Sequence, residues 1–508
     1  SGGRSMDDFL KIKNGVALPR ADLPRVSFPR FFRLLTDLVR CNGYLVQFFV
    51  HPEGDRNLLI AVARTSNLLV LTTEVEREFP SLTLAGGAKF NLFEREIAEQ
   101  FGLRPAGHPW LKTVRYHANR TGRPDVFGND YRADIPGNTP FYQVTGESVH
   151  EVAVGPVHAG IIEPGHFRFQ CAGEEVLHLE IQLGYQHRGV EQLFTSVPFG
   201  RLPVLAESIA GDTAIGHNLS CCQAIEALAG LEVEPGARTV RTIALELERI
   251  ANHLGDLGAL SGDVAFNPPA AYFGRLRGEF LNLLLVLAGN RFGKGLVRPG
   301  GVALTMGSAE RGLLRAKLKE TRREIAHVCD LLFDAHTVLA RFEYTGTVDR
   351  RTADRLGLVG PCARASGLEY DVREFFPTEW YGALPGCTNR VTNGDVLSRA
   401  TVRREELLHS LGLIERLLDE PDEPHRPVVP EEWRLAPESF VVTLNEGWRG
   451  EVSHCVLTDG QGRIARYKVK DPSFHNWMGL AMALRNQEIS DFPLCNKSFN
   501  LSYCGFDL

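Results

Sequence analysis

The sequence predicts an α+β protein in which a small α/β unit precedes a larger domain, built on a bundle of long helices with peripheral β-strands. Three observations support this prediction. Short β-like runs accompany two helical segments before residue 120, long amphipathic stretches dominate between residues 237 and 420, and β-like runs return after residue 439. A strand layer around a helix bundle buries the apolar faces of both kinds of element.

The N-terminal unit begins with a helix that we predict over residues 28–41, because apolar residues recur at helical spacing in FPRFFRLLTDLVRC. Three β-like runs follow it, GYLVQFFVHP, NLLIAVAR and NLLVLTTEV, and a second helix is predicted over residues 91–103. We therefore assign residues 1–19 to an N-terminal extension and residues 20–120 to a small α/β domain.

Residues 121–147 are predicted to form a linker, because they are rich in Gly, Pro, Asn and Asp and show no periodicity. The larger domain, residues 148–508, opens with strand-like runs up to residue 195 and then becomes helical. Its clearest helical stripe steps by three and four residues through Val240, Ile243, Leu247, Ile250, Leu254 and Leu257.

Composition excludes several functional classes. A net charge of −6 gives no support for nucleic-acid binding, and the longest apolar run, residues 280–289, is too short to span a bilayer. We expect no signal peptide, since no charged and then apolar leader opens the chain. None of the ten cysteines forms a C-x-x-C pair, so we interpret most of them as buried, reduced thiols.

Several long motifs occur together and in one order: GPVHAGIIEPGHFRF, LGYQHRGVEQLF, NRFGKGLVRPGGV, GDVLSRATVRREELLHSL and EVSHCVLTDGQGRIARYKVKDPSFHNW. They resemble the large subunit of membrane-bound (group 4) nickel–iron hydrogenases and, equally, the related 49-kDa quinone-site subunit of respiratory complex I. The front unit, with FEREIAEQFGLRPAGHPWL, resembles the 30-kDa subunit of complex I. This fusion is typical of the formate hydrogenlyase and hydrogenase-4 type.

The resemblance implies partners and a location. Such a subunit packs on an iron–sulfur small subunit that carries a four-iron–four-sulfur cluster, and both dock on antiporter-like subunits of a membrane arm. The whole assembly couples electron transfer to ion movement. We therefore expect a peripheral protein on the cytoplasmic face of the cell membrane, with no cofactor of its own.

The nickel–iron ligands of that family are missing from this chain. In the family, two C-x-x-C pairs hold the metals, and the positions that correspond to them are Ala210, Thr213, Ser502 and Gly505. Nickel in such a site requires thiolate donors, which none of these residues supplies. We therefore predict that the chain is not a functional nickel–iron hydrogenase by itself.

Complex I offers a second template, and the chain departs from it too. The tyrosine that meets the quinone head group there falls on Gly211 here, whereas His166 is a possible counterpart of the quinone-loop histidine. Glu163, in the apolar run GIIEPG, occupies the position that relays protons in hydrogenases. Because burying a lone carboxylate is costly, Glu163 is either a proton relay or a structural partner of an arginine such as Arg298.

The resemblance singles out two further groups. His217, with Asp212 five residues before it, is either part of a proton relay or a hydrogen-bonded core histidine. His187, Arg188 and Glu191 are expected to face the partner's iron–sulfur cluster, and an interface salt bridge is the alternative.

Three functions follow from these residues. The first is a redox-complex subunit without a nickel–iron site, which couples electron transfer through the partner to ion or proton translocation. The second is an inert scaffold that links the small subunit to the membrane arm. The third is an oxidoreductase with a replaced metal or quinone site, for which Cys495 and Cys504 with His217 and Asp212 are possible ligands.

Overall fold

The computed structural model of the protein describes residues 8–122, 124–128, 139–387, 391–421, 423–429 and 433–508. Helices and strands are mixed along the chain, which confirms the predicted α+β class. The predicted N-terminal extension and linker lie partly outside the described residues. The boundaries of the extension, the linker and the two domains stay predictions.

The N-terminal region is a four-stranded antiparallel sheet packed against helices. Its elements are β1 (Leu10–Ile12), β2 (Leu18–Pro19), α1 (Phe28–Arg40), β3 (Tyr44–Glu53), β4 (Arg56–Arg64), β5 (Leu68–Val75), β6 (Glu78–Pro80), α2 (Leu82–Gly86), α3 (Asn91–Phe101) and β7 (Arg104–Ala106). The sheet has the order β1-β5-β4-β3. Both predicted helices are confirmed, and α3 ends before Gly102 because that residue adopts a left-handed conformation with φ 65°.

A second, three-stranded sheet and two short helices open the larger region. They are β8 (Val149–Val154), β9 (His166–Ala172), β10 (Glu175–Gln182), α4 (Val190–Leu193) and α5 (Leu202–Glu207). The sheet is antiparallel with the order β10-β9-β8. The strands predicted between residues 149 and 195 therefore end at Gln182.

Long helices form the centre of the molecule. The elements of this part are α6 (Ala214–Ala229), α7 (Pro235–Asp263), α8 (Asn267–Ala288), β11 (Val297–Arg298), β12 (Gly301–Val302), α9 (Ser308–Phe333), α10 (His336–Phe342), α11 (Arg350–Leu356), α12 (Gly360–Ala365), α13 (Val372–Phe375) and α14 (Val396–Asp419). All six residues of the predicted stripe lie on α7 and are at most 1% exposed. The periodicity in the sequence therefore identified the central helix of the core.

The C-terminal region adds a sheet and three helices that close the molecule. They are β13 (Ser439–Gly447), β14 (Gly450–Thr458), β15 (Ile464–Lys470), α15 (Ser473–Ala483), α16 (Phe492–Phe499) and α17 (Tyr503–Asp507). The sheet order is β15-β14-β13-β2, so a strand from the start of the chain completes it. Among the described residues, no helix combines the length and the apolar character needed to cross a membrane.

Buried ion pairs fasten the N-terminal region to this sheet. Lys468 on β15 is 1% exposed and lies 2.6 Å from Glu96 on α3 and 2.8 Å from Glu191 on α4. Glu451 on β14 likewise pairs with Lys470 and with Arg64 of β4. Because a buried charge without its partner is costly, these pairs favour one docking geometry of the two regions.

Candidate functional site

The four positions that correspond to the family's metal ligands lie in two segments that are distant in the sequence and meet around one arginine. Thr213 directly precedes α6, and Ser502 directly precedes α17. Arg449 joins the two segments, because its Nη atoms donate to the Asp212 carboxylate at 2.6 and 2.7 Å and its Nε donates to the carbonyl oxygen of Asn500 at 2.6 Å. We define the candidate site as the space around this guanidinium.

Glycines make these close approaches possible. Arg449 lies in the turn between β13 and β14, and the next residue, Gly450, has φ 130°. A Cβ atom at Gly450 would lie 2.8 Å from the backbone nitrogen of Gly360. On the other side of the site, a Cβ atom at Gly505 would lie 2.6 Å from the carboxyl carbon of Asp471. A larger residue at either glycine would displace the segments that form the site.

The ion pair between Arg449 and Asp212 lies at the centre of the site. The Arg449 side chain is 5% exposed and lies 3.9 Å from the centre of the Trp448 ring, whereas Asp212 is 37% exposed. Burial disfavours the charged guanidinium, yet the adjacent Asp212 carboxylate raises the pKa of Arg449 above its ordinary value. The site therefore holds a permanent cation.

The donors at the four predicted ligand positions do not fit nickel. Ala210 and Gly505 carry no donor atom, and the Thr213 hydroxyl lies 3.4 Å from a guanidinium nitrogen. The Ser502 hydroxyl accepts the backbone N–H of Gly505 at 2.9 Å. Burial raises the pKa of the neighbouring Cys504 to about 12, so its thiol is neutral at physiological pH.

The other predicted metal ligands are not assembled. Within the described part of the chain, no group of three or more His, Cys, Asp or Glu side chains is arranged to hold a metal ion. Cys495 is fully buried next to Gly346 and Arg399. The cluster proposed from Cys495, Cys504, His217 and Asp212 is therefore wrong.

Behind the arginine, a buried chain of hydrogen bonds runs through the core. His217 Nε2 lies 2.9 Å from Asp471 Oδ2, His217 Nδ1 lies 3.1 Å from His454 Nε2, and His454 Nδ1 lies 2.8 Å from the Tyr467 hydroxyl. We call these four residues the histidine chain. All are at most 1% exposed, and each ring nitrogen of the two histidines has a partner. Each ring nitrogen of the two histidines can act as donor or acceptor, so the hydrogen bonds can switch direction one after another. The histidine chain can therefore transfer a proton along its length.

Burial controls the charges in the histidine chain. It lowers the pKa of His454 well below its ordinary value, and the neighbouring His217 lowers it further. Burial also raises the pKa of Tyr467 well above its ordinary value. Asp471 is different, since the hydrogen bond from His217 and the nearby Arg449 outweigh burial and lower its pKa. Negative charge is therefore favoured at the end of the histidine chain that borders the candidate site.

His217 and Asp212, both named for a relay from the sequence, have different partners, and their relay role stays a prediction. Asp212 lies before α6 and binds Arg449, whereas His217 lies in the first turn of α6 and binds Asp471. Sequence reasoning also missed His454, Tyr467 and Asp471 as site residues. The only signal was that all three lie in the long C-terminal motif that carries the resemblance.

Glu163 lies on the open side of the site and is half-buried. Its carboxylate hydrogen-bonds the Cys504 thiol and contributes, after burial, to the raised pKa of that thiol. Arg298 instead donates to the carbonyl oxygen of Val428 at 2.8 Å. Within the described residues, Glu163 and Arg298 therefore do not form an ion pair. The assignment of Glu163 as a proton relay stays a prediction.

Of the residues expected to face a partner's cluster, Arg188 is exposed and His187 is half-buried. Arg188 donates to the carbonyl oxygens of Ser208 and Ile209, at 2.6 and 3.1 Å. His187 Nδ1 donates to the carbonyl oxygen of Asp507 at 2.7 Å, and burial lowers the pKa of His187 to about 4. Arg188 thus lies next to the segment after α5, and His187 lies next to the end of α17.

Glu191 lies inside the chain. It is 2% exposed and forms ion pairs with Lys468 at 2.8 Å and Arg466 at 3.2 Å. Burial opposes its ionisation, but these two cations hold the pKa of Glu191 well below its usual range. The salt bridges of Glu191 are thus internal, which corrects the expectation of a salt bridge across an interface.

His166, the possible quinone-loop residue, begins β9 and is 7% exposed. Its Nδ1 lies 3.1 Å from the carbonyl oxygen of Gly155, and its Nε2 accepts a hydrogen bond from Arg168 at 3.0 Å. Burial lowers the pKa of His166. Both ring nitrogens are therefore engaged within the chain.

One carboxyl group near the site was not anticipated. Glu248 on α7 is 4% exposed and accepts the backbone N–H groups of Ile215 and Gly216, at 2.8 and 3.2 Å, in the first turn of α6. Burial raises the pKa of Glu248 to about 8, and the nearby Asp212 adds to that effect. This carboxyl group can therefore exchange a proton near neutral pH.

The site is open toward one face of the chain. Gly211 is exposed, and the loop before Glu163 places three apolar side chains in solvent, with exposed fractions of 75% for Val157, 86% for Ile161 and 49% for Ile162. A run of exposed apolar residues beside a polar site is typical of a surface that a partner covers.

Comparisons with known proteins agree on one family. The family model for the respiratory-chain NADH dehydrogenase 49-kDa subunit matches residues 263–439 and 424–507. Hydrogenase-4 component G of Escherichia coli strain K12 is 29% identical over 479 residues, which cover 91% of this chain and 80% of that protein. The carbon monoxide-induced hydrogenase of Rhodospirillum rubrum is 31% identical over 357 residues, which cover 70% of this chain and 98% of that protein.

A solved structure is similar over most of the chain. It is described as the structure of the membrane-bound sulfane sulfur reductase, an archaeal respiratory membrane complex. The similarity has a TM-score of 0.67 and 25% sequence identity, and it covers 72% of this chain and all of the matched chain.

Proposed function

Because the chain belongs to the family of the respiratory-chain NADH dehydrogenase 49-kDa subunit and its membrane-bound hydrogenase relatives, we propose that it is a redox-complex subunit without a nickel–iron site. In this proposal, electrons pass through a four-iron–four-sulfur cluster of a partner small subunit. The chain couples that transfer to proton or ion translocation by an antiporter-like membrane arm. It lies peripherally on the cytoplasmic face of the membrane.

The observation that carries the proposal is the histidine chain beside an open site. Four side chains in hydrogen-bond contact, from Asp471 to Tyr467, offer a route for protons that needs no water. Glu248, with its raised pKa of about 8, supplies a group near the site that is protonated at neutral pH. These features support a role in proton handling that does not depend on a metal.

A second observation supports the assembly with a partner. The apolar loop before Glu163, the exposed Arg188 and the exposed Gly211 lie around the open side of the site. A small subunit that covered this face would exclude water from Arg449 and Asp212 and would strengthen their electrostatic interaction. The relatives' names, which refer to hydrogenases and to a membrane complex, are consistent with such partners.

The donor set argues against nickel and iron in this chain. The proposal therefore assigns no chemical step to a metal and leaves the site to Arg449, Asp212, Glu163 and the histidine chain. The second candidate function is a scaffold without chemistry of its own. The ion pair between Arg449 and Asp212 favours it, because this pair joins the two segments without requiring any ligand.

The histidine chain distinguishes the two candidates. We expect His217→Gln and His454→Gln to assemble with the membrane complex but to reduce its ion-coupled electron transfer by at least about 100-fold, the effect of losing a proton-transfer group. Inverted membrane vesicles allow electron transfer and proton movement to be measured together. Arg323→Gln, an exposed position on α9, is the matched control. Normal turnover in both assembled histidine variants would favour the scaffold.

A further inference from the structure

A cavity lies between α3, β10 and α15, with Phe506 of α17 in its wall. Its volume is about 270 Å³. We call it the aromatic cleft, and its walls are formed mainly by Trp110, Tyr142, Trp477, Met478, Met482 and Phe506. Since α3 belongs to the N-terminal region and the other elements do not, the cleft forms only where the two regions meet, a common position for ligand sites.

The walls of the aromatic cleft suit a flat apolar molecule. Trp110 and Tyr142 are 39% and 49% exposed, and their rings meet edge to face with centres 6.1 Å apart. Two of the four methionines of the protein, Met478 and Met482, also line the cleft. Methionine adapts its shape to an aromatic partner and attracts ring edges through its sulfur.

The charges around the cleft are positive. Within the described part of the chain, Arg485 is exposed and has no carboxylate within 4.0 Å. Arg95 donates its Nε and Nη2 hydrogens to two backbone carbonyls, while its Nη1 has no acceptor among the described residues. Glu180, the acidic residue of the lining, is neutralised by Lys112 at 2.5 Å. Arg95 already interacts electrostatically with Glu180, so Arg485 is the guanidinium left to attract an anion.

One buried acceptor in the lining has no partner. Asn91 Oδ1 is buried without a hydrogen bond, and its amide nitrogen makes only a 3.6 Å contact with the sulfur of Met478. A buried oxygen of this kind costs free energy unless a ligand or water donates to it. A hydroxyl on the ligand would satisfy it.

From this combination we propose that the aromatic cleft binds a planar, hydroxylated aromatic carboxylate. The ring lies between Trp110 and the two methionines, the carboxylate pairs with Arg485, and the hydroxyl donates to Asn91. The lining of the cleft does not include Arg449 or the histidine chain, and the proposal does not depend on the function proposed for the candidate site.

The test uses 6-hydroxy-2-naphthoate as the probe and the purified full chain, with binding measured by calorimetry and by quenching of tryptophan fluorescence. We expect 2-naphthol, which lacks the carboxylate, to bind at least about 10-fold more weakly, the effect of one charge-assisted hydrogen bond. Arg485→Gln should weaken binding of the naphthoate by about the same factor. Ala481→Trp should abolish binding, because Ala481 lines the cleft and a larger side chain would fill it.

Arg323→Gln, on the exposed face of α9, is the control and should bind the probe as the unmodified chain does. The proposal is overturned if the probe does not bind. Equal affinities for the naphthoate and 2-naphthol, or binding that survives Ala481→Trp, would also overturn it and would indicate non-specific adsorption.

Discussion

Glu248 provides a direct test of the electrostatics of the candidate site. It is buried, and its pKa is raised from 4.5 to about 8, chiefly by burial. The folded state therefore holds this proton more tightly than the unfolded state does. As a result, the free energy of unfolding falls as the pH rises from about 4.5 to about 8. Replacing Glu248 by Gln keeps one of the two acceptor oxygens for the α6 N–H groups and removes the titration.

The magnitude follows from the same two pKa values. A single group changes the free energy of unfolding by at most about 1.4 kcal/mol per pH unit, and the full interval sets an upper limit of about 5 kcal/mol. Because structural relaxation and water entry reduce such effects, we expect Glu248→Gln to gain about 1–2 kcal/mol over the unmodified chain between pH 5 and pH 8.

Urea unfolding at pH 5, 6, 7 and 8 measures this difference directly. The variant and the unmodified chain should diverge as the pH rises, with the variant the more stable at pH 8. Glu232→Gln, at an exposed position before α7, is the control and should follow the unmodified chain at every pH. Parallel curves for Glu248→Gln and the unmodified chain would show that Glu248 is ionised in the folded state, and the reasoning would fail.

Three other outcomes are expected. Purified chain should contain no stoichiometric nickel or iron by elemental analysis, and a stoichiometric signal would contradict the donor set described above. Glu163→Gln should leave the membrane complex assembled but lower its ion-coupled turnover by about 100-fold. Arg188→Ala should instead impair assembly, which is measured by the amount of small subunit that co-purifies with the chain. Lys468→Met should lower the free energy of unfolding by about 3–5 kcal/mol in urea titrations, because it leaves Glu96 and Glu191 buried without their shared cation; a loss below 1 kcal/mol would contradict this.

The sequence predicted the architecture better than the site, because the helices depend on residues close together in the sequence and the site depends on residues far apart in it. The α7 stripe repeats within one helix, so its apolar face is visible in the local spacing. The histidine chain joins residues that are 237 and 254 positions apart, and no local pattern encodes such contacts. Asp212 is the acid nearest to His217 in the sequence, yet Asp212 binds Arg449 and His217 binds Asp471.

The charges of the candidate site hold its two chain segments together through Arg449. A metal held between two chain segments acts as a cation that both segments bind. Here Arg449 has that role, since it binds Asp212 on one segment and the Asn500 carbonyl on the other. Asp471 adds a second negative group close by, which the hydrogen bond from His217 stabilises. A proton that moved along the histidine chain would change the charge next to Arg449, and through it the attraction between the two segments. In this scheme, proton movement alters the attraction between the segment before α6 and the segment before α17 without any redox change in this chain.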